Sequence, residues 1–170
     1  VDEAGRPLTD GEIGRLRVRG PTGCRYLADP RQANYVKDGW NYPGDAFRRD
    51  AEGYFYYQSR TDDMIISAGY NISGLEVESV LLTHQAVAEC GVVGAPDEER
   101  GMRVKAFVVV KPEYLQGQGE QDTAALAKAL QDYVKATIAP YKYPREIVFV
   151  QTLPRTETGK LQRFRLRDSS

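Results

Sequence analysis

The stretch Pro154-Arg155-Thr156-Glu157-Thr158-Gly159-Lys160 is the part of the sequence best equipped for chemistry. Proline and glycine bracket a polar loop that could hold Lys160 at its tip. A lysine there is a mobile point charge suited to phosphate or carboxylate oxygens. By residue type alone a solvated surface loop is the commoner outcome, because most charged loop residues lie on the surface. Upstream, Tyr42-Pro43-Gly44-Asp45 offers a carboxylate whose two oxygens can accept from two hydroxyls. Arg60 and Asp62 follow in Gln58-Ser59-Arg60-Thr61-Asp62-Asp63-Met64-Ile65. Aspartate tolerates turn geometry and can bond its own backbone, so Asp62 suits a hinge or a plain polar turn. Gly69 in Ala68-Gly69-Tyr70-Asn71-Ile72 suits either close approach of a ligand to the backbone or a strand-to-helix turn.

These residues need elements to hold them. Residues 13–19 alternate apolar and basic, the period of a half-buried strand. Ala46-Phe47-Arg48-Arg49 and Tyr54-Phe55-Tyr56-Tyr57 flank Asp50-Ala51-Glu52-Gly53 and predict a hairpin. Residues 21–44, rich in Gly, Pro, Asn and Asp, read as irregular surface. One hairpin and an isolated strand do not make a stable core, so this β-rich part reads as the edge of something larger. Beyond Asp63, Met64-Ile65-Ile66-Ser67 predicts a short strand, and Ser73-Gly74-Leu75-Glu76 a capping box opening a helix to about His84. Residues 87–93 and 104–110 predict strands, the second β-branched enough to be buried. A loop at residues 116–120 leads to a helix on which Leu126, Leu130, Tyr133, Val134 and Ile138 recur at helical spacing. Ile147-Val148-Phe149-Val150 is a last strand before the polar loop and a short basic segment, residues 163–167. This order predicts an α+β fold, a compact domain of mixed strands and helices over 62–170, preceded by a β-rich, incomplete domain end over 1–61.

Composition closes off other classes. The 170 residues are 41% hydrophobic and 28% charged, with a net charge of −1, ordinary for a globular chain and without a field for nucleic acid or anionic membrane. No apolar run approaches the ~20 residues that span a bilayer. The chain opens Val1-Asp2-Glu3-Ala4-Gly5, with neither an initiator Met nor a charged-then-apolar leader, and reads as a piece of a longer cytoplasmic protein. Cys24 and Cys90 form no C-x-x-C pair, so neither a disulfide framework nor a thiolate metal site is expected. His84, the one histidine, suits a helix end better than a catalytic triad.

Taken together the motifs resemble those of the adenylate-forming superfamily of acyl-CoA synthetases, peptide-synthetase adenylation domains and luciferase. The loop at 154–160 is similar to its P-x-T-x-x-G-K signature, residues 58–65 to G-R-x-D-D-x-I, Tyr42-Pro43-Gly44-Asp45 to Y-x-T-G-D, and residues 94–101 to the structural turn G-x-P-D-x-x-x-G. The resemblance implies an ATP-dependent carboxylic acid–CoA ligase using ATP, Mg²⁺ and coenzyme A. Its lid lysine is Lys160, its hinge Asp62, its ribose-binding residues Asp45 and Arg60, and its CoA-facing loop Gly69 and Tyr70. No metal ligand falls in this chain. The text around Gly20-Pro21-Thr22-Gly23-Cys24-Arg25-Tyr26-Leu27 looks most like benzoate and 2-aminobenzoate ligases, which implies a small aromatic acid. Lys135 and Lys142 read as a solvated face rather than CoA-phosphate ligands. Pro43, Ser59 and Ile66 depart from the pattern, standing where Thr or Ser, Gly, and Lys are usual. A partner N-terminal domain of the same protein is implied, and with no Gly-rich phosphate loop in the sequence this chain alone is expected to be inactive. Two alternatives stay open: an adenylation domain that loads a carrier protein, and a non-catalytic binding module reusing the lid.

Overall fold

A computed structural model describes residues 1–21, 28–30, 32–114 and 120–168. Cys24, the loop at 116–119 and most of the aryl-ligase-like run lie outside the described residues. The chain divides into two compact units, Val1–Asp62 and Asp63–Ser170.

In the first unit the expected hairpin forms. Strand β1 (Ile13–Arg15) pairs antiparallel with β4 (Asp45–Arg49), which pairs with β5 (Phe55–Arg60). The turn between β4 and β5 closes because Asp50 N donates to the Tyr54 carbonyl (3.0 Å) and Asp50 Oδ1 accepts from Tyr54 N (2.8 Å). The segment read as irregular surface is more ordered than its composition suggests. It holds one helical turn, α1 (Gln32–Tyr35), then β2 (Val36–Lys37) and β3 (Trp40–Asn41) joined across Asp38-Gly39. Asp-Gly is a strong two-residue hairpin signal that a general Gly/Asp count hides. Among the described residues this unit buries only Ala46 as an apolar side chain, while Tyr54, Phe55, Tyr56 and Tyr57 are all exposed.

The second unit has a core of its own. Its mixed sheet is built on a hairpin of β8 (Val87–Asp97) and β9 (Gly101–Val110). Strand β10 (Glu146–Phe149) lies parallel to β9, and the hairpin β6 (Ile65–Ser67) with β7 (Tyr70–Ile72) joins β9 at Ser67 opposite Gly101. Alternate residues of β9 go to opposite faces. Val104, Ala106, Val108 and Val110 enter one cluster with Ile72, Val77, Leu81, Leu130 and Val134. Phe107 and Val109 enter the other with Val93, Leu153, Leu161 and Leu166. A strand buried on both faces needs a continuous apolar run, which explains the β-branched stretch. Helices α2 (Gly74–Leu81) and α3 (Glu120–Thr137) cover the first face, and α4 (Arg163–Asp168) with the loop before it covers the second.

Three local expectations change. Ser73 stands at the N-cap of α2, but its side chain makes no capping bond, and Glu76 turns instead to Lys142. Tertiary pairing with a full charge outcompetes the local amide partner. Residues 70–72, read as loop, form β7. The basic end segment is a helix because Leu166, 4% exposed, has a sheet to cover.

Candidate functional site

The lysine loop is a hydrogen-bonded turn. Gly159 N donates to the Thr156 carbonyl (2.9 Å), Thr156 N to the Lys160 carbonyl (2.9 Å), and Lys160 N to Thr156 Oγ1 (3.1 Å). Gly159 lies at φ +83°, a conformation that side chains resist, which is why glycine precedes the lysine. Arg155 pairs with Leu161 across the neck, so chain enters and leaves side by side with Lys160 exposed. Two arginine–glutamate pairs flank the turn. Arg155 Nη1 donates to the Gly159 carbonyl (2.8 Å) and its Nη2 to Glu89 Oε2 on β8 (2.6 Å). Arg163 Nη2 donates to both oxygens of Glu78 on α2 (2.8 and 2.7 Å).

In the first unit Asp45 and Arg60 are brought together. They are cross-strand partners on β4 and β5, and Arg60 Nη1 donates to Asp45 Oδ1 (3.0 Å) and to the Pro43 carbonyl (3.0 Å). The guanidinium lies so close to Gly44 that a Cβ there would stand 2.7 Å from Arg60 Nη2. Both side chains keep solvent access, Arg60 more than Asp45. Ser59, where glycine is usual, is buried opposite Ala46, and Ile66 stands exposed on β6.

Asp62 is exposed in a single 3₁₀ turn, Thr61–Asp63, at the end of the first unit. Asp63 belongs to the second and is tied there by Arg167 Nη1 (2.6 Å).

Gly69 lies in the two-residue turn of the β6–β7 hairpin, and Tyr70 opens β7. Ala68 and Gly69 both have positive φ (49° and 82°), the pattern of a type I′ turn. A Cβ on Gly69 would meet nothing within 4 Å, so the backbone and not packing demands glycine there. Tyr70, two residues before Ile72 on the same strand face, stacks on Tyr141 with ring centroids 4.5 Å apart. Ile72 packs in the first cluster and Leu161 in the second, so the Gly69–Tyr70 tip and the Lys160 turn belong to opposite faces of the sheet.

Lys142 and Lys135 are already engaged. Lys142 Nζ donates to both oxygens of Glu76 (2.7 Å each), and Lys135 Nζ to Asp132 Oδ1 (3.2 Å) while lying 4.1 Å from the Tyr143 ring centroid. Burial, with the Glu78 carboxylate adding to it, pushes the Cys90 thiol up to about 12, so it is no nucleophile near neutrality. Among the described residues no three His, Cys, Asp or Glu side chains cluster as a metal site. No helix there is long and apolar enough to cross a membrane. Sequence reading missed Glu89, Glu78, Arg163 and Tyr141, whose partners lie too far along the chain to be seen as pairs.

The second unit is thus a two-face α+β domain with a lysine-bearing turn just before its last helix. The chain belongs to the AMP-binding enzyme C-terminal domain family, which matches residues 76–160. It is 43% identical to an uncharacterized acyl–CoA ligase of Bacillus subtilis, over 98% of this chain and 31% of that protein. It is 44% identical to the benzoate–CoA ligase of Thauera aromatica, over 99% of this chain and 32% of that one. Among solved structures, an anthranilate CoA ligase in complex with anthranoyl-AMP superposes with a TM-score of 0.80 at 40% identity, covering 99% of this chain and 32% of that chain. The chain therefore spans about a third of the length of the relatives it matches.

Proposed function

We propose that this chain is the C-terminal part of an ATP-dependent carboxylic acid–CoA ligase, with an N-terminal domain of the same protein as its obligatory partner. The single observation that carries the reading is the exposed Lys160 on a braced turn, on the face of the sheet opposite the Gly69–Tyr70 tip. Two faces suit two half-reactions. In the first, a carboxylate oxygen bonds to the α-phosphorus of ATP as the bond to pyrophosphate breaks, and the Lys160 ammonium neutralises charge on the reacting oxygens. In the second, the domain turns about Asp62, Lys160 withdraws, and CoA sulfur bonds to the acyl carbon as AMP leaves. Asp45 and Arg60 hold the ribose, and Gly69 with Tyr70 lines the approach of the CoA arm. Mg²⁺ supplies charge neutralisation at the phosphates, and its ligands are assigned to no residue of this chain.

The similarity to benzoate and anthranilate ligases favours an aromatic acid, and a ligase consuming ATP and CoA fits the cytoplasm. The first unit supports the need for a further domain, because it exposes four consecutive aromatic residues and, among its described residues, buries only Ala46 as an apolar side chain. The 170-residue chain alone is expected to be inactive.

Lys160→Ala in the complete ligase tests the assignment. Pyrophosphate release should fall on the order of 10²–10³-fold while thioester formation from supplied acyl-adenylate is spared. Asp62→Pro should do the reverse, since proline fixes φ at the hinge. Equal losses in both half-reactions for either variant would remove its stage-specific role.

A further inference from the structure

We propose that Arg155 is a positioning residue for Lys160, acting through the Gly159 carbonyl and Glu89; this rests on the adenylation role proposed above for the lysine. Residues 155–160 are all exposed, so no apolar packing holds the turn in place. Gly159 meets nothing within 4 Å of an added Cβ. What ties the turn to the sheet is the Arg155 fork. One nitrogen takes the carbonyl immediately before Lys160, and the other takes Glu89 on β8. The same residue pairs with Leu161, which is packed among Val93, Phe107 and Leu166. Arg155 thus fixes both ends of the peptide that carries the lysine.

The pair with Glu89 is half exposed on both sides (44% and 47%). Exposed pairs contribute little to stability, so selection for stability gives it no strong reason to exist. Orientation does. A lysine on a four-carbon stem is useful in a transition state only if its base is held, and a displacement of about 1 Å can cost on the order of 10²-fold in rate. The planar guanidinium spans two acceptors at a fixed angle, a geometry that a single ammonium does not reproduce.

The test uses the complete ligase. Arg155→Ala should lower kcat for adenylation about 10- to 100-fold with the KM for the acid within about twofold. Its thermal midpoint and its conversion of supplied acyl-adenylate to thioester should match wild type. Arg155→Lys, which keeps the charge but loses the fork, should fall between the two, and Glu89→Gln should cost less than Arg155→Ala. Wild-type adenylation in Arg155→Ala, a change confined to KM, equal loss in both half-reactions, or a loss matched by a lowered thermal midpoint would overturn the proposal. Lys160→Ala run in parallel separates the two ideas. Full adenylation there sinks the lysine reading and the positioning role with it, whereas a silent Arg155→Ala beside a crippled Lys160→Ala sinks only the positioning role.

Discussion

Arg163 and Glu78, 85 residues apart in the chain, share two hydrogen bonds of 2.8 and 2.7 Å, and Glu78 Oε1 also accepts from Val92 N at 2.8 Å. One carboxylate therefore joins α2, β8 and the start of α4, three residues beyond Lys160. Its side chain is 10% exposed and that of Arg163 is 20%, so the pair is largely out of water.

Removing one partner of such a pair leaves the other charge buried and uncompensated. Glu78→Ala should destabilise the second unit by about 3 kcal/mol, read from urea unfolding. Glu78→Gln, which keeps an acceptor for Val92 N, should cost less. Wild-type stability in the alanine variant would mean the pair is idle.

Two glycines should fail for different reasons. A Cβ at Gly74 would lie 2.8 Å from the Val92 carbonyl oxygen, a backbone atom that has no flexible end to move away. At Gly69 the space is open and only the positive φ resists. Gly69→Ala should cost about 1 kcal/mol, and Gly74→Ala clearly more, by comparison of unfolding midpoints. The reverse order would show that α2 slides along β8 without penalty.

Burial alone would raise the Glu146 carboxyl, but hydrogen bonds from Lys105 and then Arg103 outweigh it and hold the group below its ordinary value of 4.5. A carboxyl depressed on folding contributes stability that is fully present above its unfolded value and lost as pH falls through the folded one. Glu146→Gln should therefore destabilise at pH 7, and the gap from wild type should narrow as pH drops below about 4.5. A gap that stays constant from neutral to acid pH would assign the effect to shape instead of charge.

The two units should differ in protection. The first has Ala46 as its one buried apolar residue among those described, and the second has two buried clusters. Segments with few buried contacts open most easily. Limited proteolysis of the 170-residue chain should cut first before Asp63 and leave a resistant piece that begins near it. Early cuts within β8 or β9 would contradict this.

The sequence by itself determined what depends on neighbours along the chain. The spacing of Leu126, Leu130 and Val134 made the long helix, and the apolar run through Val104–Val110 made a strand fit for two-sided burial. Proline and glycine around Thr156-Glu157-Thr158 made the turn that carries Lys160. The tertiary structure alone decided which distant groups meet. Glu76 abandoned a local capping role because Lys142 arrived beside it. Arg155 gained Glu89, and Tyr70 gained Tyr141. Residues 163–167 became a helix once Leu166 could lie over Gly91, where an added Cβ would come within 2.8 Å of its Cδ1. Such meetings are settled by charge pairing and close packing between segments whose separation along the chain carries no local signal, so they exist only once the sheet has brought them together.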